Sequence, residues 1–129
     1  MHITEDAALD ALRRAVESRG ADYKDPNWAT SVDGGCRYER DGGPSCIVGT
    51  ALFYLGVLPE VLHAMDLAFD PVINGDGSAV LQTYGHTLEG EAVERFATAQ
   101  HEQDSGHTWG HAYDAALLDH KEDREARSL

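Results

Sequence analysis

The apolar residues of this chain fall into helical stripes separated by glycine-marked turns. Ala8, Leu9, Leu12 and Val16 recur at near-helical spacing behind Thr4, a good N-cap. Glu5 and Asp6 sit where the helix dipole favours acids, and Gly20 is placed to stop the helix. Residues 20–35, GADYKDPNWATSVDGG, read as a surface connection pinned by Tyr23 and Trp28. Cys36-Arg37-Tyr38-Glu39-Arg40 alternates apolar with charged residues, the two-residue period of a half-buried strand, and Asp41-Gly42-Gly43-Pro44 is a turn. Ser45 then reads as an N-cap. From Cys46 to Leu55 nearly every residue is apolar, which places that helix at the centre of the fold. Gly49 inside it costs about 1 kcal/mol against alanine, a cost that makes sense where another backbone packs close. Gly56 ends the helix.

Beyond it, Pro59 suits a helix first turn, and Val61, Leu62, Met65 and Phe69 continue an apolar face. Asp70-Pro71 and Asn74-Gly75-Asp76-Gly77 break the chain. Ser78 is positioned to cap a short helix through Tyr84, closed by Gly85. Thr87 precedes a longer helix whose buried face is Leu88, Ala92, Val93, Phe96 and Ala97. After the turn Gln103-Asp104-Ser105-Gly106, Thr108 caps a last helix with the stripe Trp109, Ala112, Tyr113, Ala116, Leu117 and His120. The charged tail at about 121–129 is expected to fray. The expected fold is mainly α: a compact bundle of four to five helices around the central apolar helix 46–55, with at most one short β-strand or hairpin near 36–40. The 129 residues form one globular domain, with no repeat and no second boundary.

Charge narrows the function classes. Twenty-three acids against ten bases give a formal net charge of −13. Such a surface repels phosphates and disfavours direct nucleic-acid binding, which runs on Lys and Arg displacing counterions. It favours a basic partner through steering, although acidity also serves solubility alone. No segment approaches the ~20 apolar residues of a membrane helix. The N-terminus carries acids where a signal peptide needs bases. The chain is therefore expected to be cytoplasmic. Its two cysteines, Cys36 and Cys46, make no disulfide framework and are expected to be free thiols there.

Four groups of residues invite a chemical reading. Cys46, in the first turn of the central helix, is a candidate nucleophile, since the helix dipole and free N–H groups stabilise a thiolate; it needs a histidine base such as His63, His107 or His111. The competing reading is a buried cysteine acting as a small hydrophobe. Cys36 and Cys46 can also meet across the turn, to bond or to bind zinc with a histidine. Their nine-residue gap is not the short spacing of a structural zinc knuckle. His101, His107 and His111 cluster near the last helix, and the pair His107/His111 has metal-like i, i+4 spacing. The cap at Thr108 puts His107 outside the helix, so the two need not share a face. H-E-x-x-H is absent, because Ser105 stands at the second histidine position. The Asp70–Gly75 stretch fails as a calcium loop, with Val72 and Leu81 at ligand positions. No P-loop, dinucleotide fingerprint, G-x-S-x-G or C-x-x-C occurs. The acids at Asp10 and Glu17, and at Glu89, Glu91 and Glu94, read as solvated faces.

Two segments together resemble a family of small uncharacterised proteins of actinobacteria and their bacteriophages. They are Cys36-x-Tyr38 with Gly43-Pro44-Ser45-Cys46-Ile47-Val48-Gly49 and Leu55-Gly56-Val57, and Ala99-Gln100-x-x-Gln103-Asp104-x-Gly106-x-Thr108-Trp109-Gly110-x-Ala112. The second is also similar to the D-x-x-G-x-T helix start of a broader actinobacterial domain of unknown function. The resemblance covers about a third of the chain and implies no activity, cofactor or catalytic residue. Both motifs are a turn followed by a capped helix start, which is a structural role.

The preferred reading is a small acidic interaction protein without enzymatic activity or cofactor, binding a host or an identical protein and imitating nucleic acid toward a basic partner. Its rivals are a thiol- or zinc-dependent hydrolase using Cys46 with a histidine, and a structural homodimer anchored by Trp28 or Tyr54.

Overall fold

The computed structural model describes residues 1–26 and 37–128, with side chains through Asp119. The mainly helical class is as expected. The described residues hold six α-helices: α1 (Glu5–Arg19), α2 (Ile47–Tyr54), α3 (Pro59–Asp66), α4 (Ser78–Thr83), α5 (Gly90–Asp104) and α6 (Trp109–Ser128). A wide π-type turn, Ile73–Gly77, leads into α4. Four two-residue strands complete the fold: β1 (His2–Ile3), β2 (Glu39–Arg40), β3 (Gly43–Pro44) and β4 (Thr87–Leu88). β2 and β3 form the expected hairpin, Glu39 opposite Pro44. The parallel pair β1–β4, His2 beside Thr87 and Ile3 beside Leu88, is an addition. Two-residue strands carry no alternation, and this pairing spans most of the chain.

Local chemistry sets the ends of the helices. Thr4 caps α1, its Oγ1 accepting from Ala7 N at 3.2 Å. Gly20 closes that helix at φ 96°, a conformation that suits glycine. α2 is capped one residue later than expected. Cys46 rather than Ser45 is the N-cap, and its Sγ accepts from Gly49 N at 3.3 Å. Pro59 takes the first turn of α3. Phe69, expected on the apolar face, lies beyond the end of α3 and is fully exposed. Thr108 caps α6, accepting from His111 N at 3.1 Å. That helix continues to Ser128 through the stretch expected to fray.

The core takes Ala8, Leu9, Ala11, Leu12 and Ala15 from α1, Ile47 to Leu52 from α2, and Val61, Leu62 and Met65 from α3. Leu81, Ala92, Phe96, Ala99, Trp109, Ala112 and Ala116 complete it. α2 is buried along its first six residues, as a helix apolar on all sides must be. It is not the sole hub: α1 packs on α2, α5 and α6, and α5 on α1, α2, α6 and the π-type turn. At 15 residues each, α1 and α5 are nearly twice as long as α2 and reach more neighbours. Gly49 is the close approach that its helix cost implied. A Cβ there would lie 2.3 Å from the carbonyl oxygen of Tyr38. Tyr23 packs edge-on against Trp109, ring centroids 4.7 Å apart. Trp28 lies outside the described residues.

Three buried polar side chains on α5 escape the hydrophobic pattern. Arg95, 1% exposed, sits 3.4 Å from Glu5 Oε2 and ties α5 to the start of α1. Gln100 accepts from Ile73 N at 3.0 Å through Oε1 and donates to the Tyr38 hydroxyl at 2.8 Å through Nε2. That hydroxyl in turn donates to the Pro71 carbonyl. Gln103 Oε1 accepts from Ile47 N at 2.8 Å and so serves the first turn of α2 from another helix.

Candidate functional site

Cys46 is placed against catalysis. It is fully buried and disulfide-bonded, so the free thiol expected at this position is not present. A bonded sulfur is neither a nucleophile nor a thiolate ligand for zinc, which removes it from both proposed roles. The expectation rested on the assumed compartment, and sequence spacing alone does not show whether two sulfurs come within bonding distance. Cys36, the chain's other cysteine, lies outside the described residues, as does its place in a zinc set. Besides the bond, the sulfur caps α2, which explains why a cysteine can stand at an N-cap.

His63 faces a carboxylate. Its Nδ1 lies 3.2 Å from Glu39 Oε2, on the exposed side of the β2–α3 contact. The acidic pair Asp10 and Glu17 brackets Arg13 on the surface of α1, each at 2.6 Å, as solvated faces do. Asp70 and Asp76 close their own loop: Asp70 N donates to Asp76 Oδ2 at 3.0 Å, and Asp76 N donates to the Asp70 carbonyl at 2.8 Å.

Chemistry gathers at the corner between α5 and α6. Glu102, on the last turn of α5, meets His107 from the connecting turn and His111 from the first turn of α6. Local geometry builds this corner. Gly106 turns the chain at φ 90°, His107 N donates to the Glu102 carbonyl at 3.2 Å, and Thr108 caps α6. His107 is outside the helix, as its cap implied, yet the turn folds its ring back onto His111. The imidazoles stack with centroids 4.2 Å apart. Both Nε2 atoms converge on Glu102 Oε2, at 3.5 Å from His107 and 3.1 Å from His111. Among the described residues, one ligand atom from each of the three lies within 4.8 Å of the others. Glu102 is the member that the sequence pattern missed. The signal was available as Glu102-x4-His107-x3-His111, but only the turn at Gly106 makes that spacing converge. His101, grouped with the pair by sequence, is one residue off this face.

His101 lines a cleft instead, with Val72, Asn74, Ala97, Gln100 and Asp104. The Asp104 carboxyl is pushed up to about 6, first by burial. Gln103 Nε2, donating to Oδ1 at 3.0 Å, offsets part of this, and the charge of Asp25 adds to it. Burial likewise raises Asp66, against the two backbone N–H groups of Tyr38 and Glu39 that its carboxylate accepts. Asp66 holds the hairpin to α3 through these two bonds. Comparison with protein-family models, curated proteins and solved structures finds no match to this chain.

Proposed function

We propose that this protein acts by binding, as a small acidic interaction protein whose partner is a protein with a basic face. The carrying observation is charge: a net −13, with acids at exposed positions on every long helix, among them Asp6, Asp10, Glu17, Glu94 and Asp114. Complementary charge accelerates encounter and excludes acidic competitors more than it adds contact energy. The resemblance to actinobacterial and actinophage proteins makes a host protein the natural partner, and imitation of nucleic acid toward a DNA-binding protein is the sharpest form of the reading. The thiol alternative loses its nucleophile to the bond at Cys46. No described helix is long and apolar enough to cross a membrane.

The test is capture of partners from actinobacterial lysate on the immobilised chain, followed by competition with duplex DNA. The proposal expects basic proteins, released as salt rises, whose DNA binding the chain displaces. Recovery of only neutral or acidic partners, indifferent to salt, contradicts it.

A further inference from the structure

The geometry points to a divalent-cation site at the α5–α6 corner, built by Glu102, His107 and His111 and suited to a first-row transition ion such as Zn2+. This goes beyond the binding role proposed above and stands independently of it.

The donor set selects the class of ion. Two imidazoles and one carboxylate suit zinc, copper, nickel or cobalt, whereas calcium and magnesium take oxygen shells. Two histidines with one glutamate are also a three-ligand set that zinc accepts with a fourth position left to water. Spacing agrees. With metal–ligand bonds of roughly 2.0–2.1 Å, the edge of a tetrahedron is about 3.3 Å. The two Nε2–Oε2 separations, 3.5 and 3.1 Å, bracket that edge. The three ligand atoms lie within 4.8 Å of one another and the two rings are stacked, so an ion is admitted when the carboxylate and the imidazoles turn about their side-chain bonds, with the backbone unmoved.

The ligands are held before any ion arrives. The bond from His107 N to the Glu102 carbonyl and the Thr108 cap fix the backbone of both histidines. Preorganisation of this kind lowers the ordering cost of binding. The site is also open: His107 and His111 are about half exposed, at 49% and 52%. The competing account of the same contacts is an ion pair between Glu102 and a protonated histidine, which needs no metal.

Titration of the untagged, oxidised, full-length chain with Zn2+ and with Co2+ after chelator treatment decides between them. The proposal expects one equivalent of Zn2+, resistant to excess Mg2+ and Ca2+. It also expects a Co2+ visible spectrum of tetrahedral intensity. His111→Ala and Glu102→Gln should each weaken Zn2+ binding at least about tenfold, since even outer-shell changes cost 10–100-fold at metal sites. His101→Ala should leave it unchanged. Circular dichroism verifies that each variant is folded, and the two ligand variants are independent of one another. Sub-stoichiometric uptake, displacement by Mg2+ or Ca2+, or unchanged binding in both folded ligand variants overturns the site.

Discussion

Asp104 is held at about 6 because its carboxyl is half-buried at the end of α5 with Asp25 nearby. In the unfolded chain such a group titrates near 3.9. Between those values the folded state retains a proton that the unfolded state has released. The associated stability is therefore present in full below about pH 4 and is lost as pH rises through about 6. Asp104→Asn keeps the acceptor for the Gln103 amide and removes the titration. The variant is expected to exceed the parent in stability by about 1 kcal/mol at pH 7, a figure reduced for solvent screening at a half-buried site. The gain should shrink toward zero near pH 4. Urea midpoints of both proteins across that range check it; a difference that does not vary with pH contradicts the assignment. The same residue scale shows what was hidden in the sequence. Arg95, Gln100 and Gln103 are polar by type and stand outside the expected apolar face of α5, yet all three are buried. Their partners, Glu5, Ile73 and Ile47, are far away in the chain, so no local pattern exposes the pairing.

Among elements, α2 comes close at Gly49 to the backbone of Tyr38, the residue that leads into β2. Alanine at Gly49 would gain about 1 kcal/mol of helix propensity. It would also drive a Cβ to 2.3 Å from the Tyr38 carbonyl oxygen and 2.8 Å from its Cα, both backbone. Overpacking of this kind costs roughly 1–3 kcal/mol and more where the backbone has to move, so repulsion prevails. Gly49→Ala is expected to lose about 2 kcal/mol in denaturant unfolding. Gly90→Ala, where a Cβ meets nothing within 4 Å, should stay within about 0.5 kcal/mol of the parent. Equal effects at the two positions contradict the close approach. This contact was legible because an apolar helix that tolerates an internal glycine needs a reason for it. Caps at Thr4 and Thr108 were legible because capping is local. The β1–β4 pair and the His107–His111 stack were not. The first joins residues 2 and 87, and the second depends on the sense of one turn at Gly106.

At the scale of the molecule, two features pull apart. The interior is closed around α2, with its cysteine bonded and its first turn served by Gln103. What remains for function is the outside: an acidic surface, and one corner where imidazoles and a carboxylate converge. Composition made the first of these plain. The fate of Cys46 was beyond it, because two cysteines with nine residues between them fit a bond, a metal or two idle thiols equally well. The account of a binding protein with no thiol chemistry rests on that sulfur being sealed. Alkylation of the folded, unreduced chain followed by mass spectrometry tests it most directly. Cys46 is expected to take up no label until the chain is both reduced and unfolded, and to be labelled fully then. Rapid labelling of Cys46 in the native, unreduced protein would contradict the account and return the thiol to contention as a nucleophile.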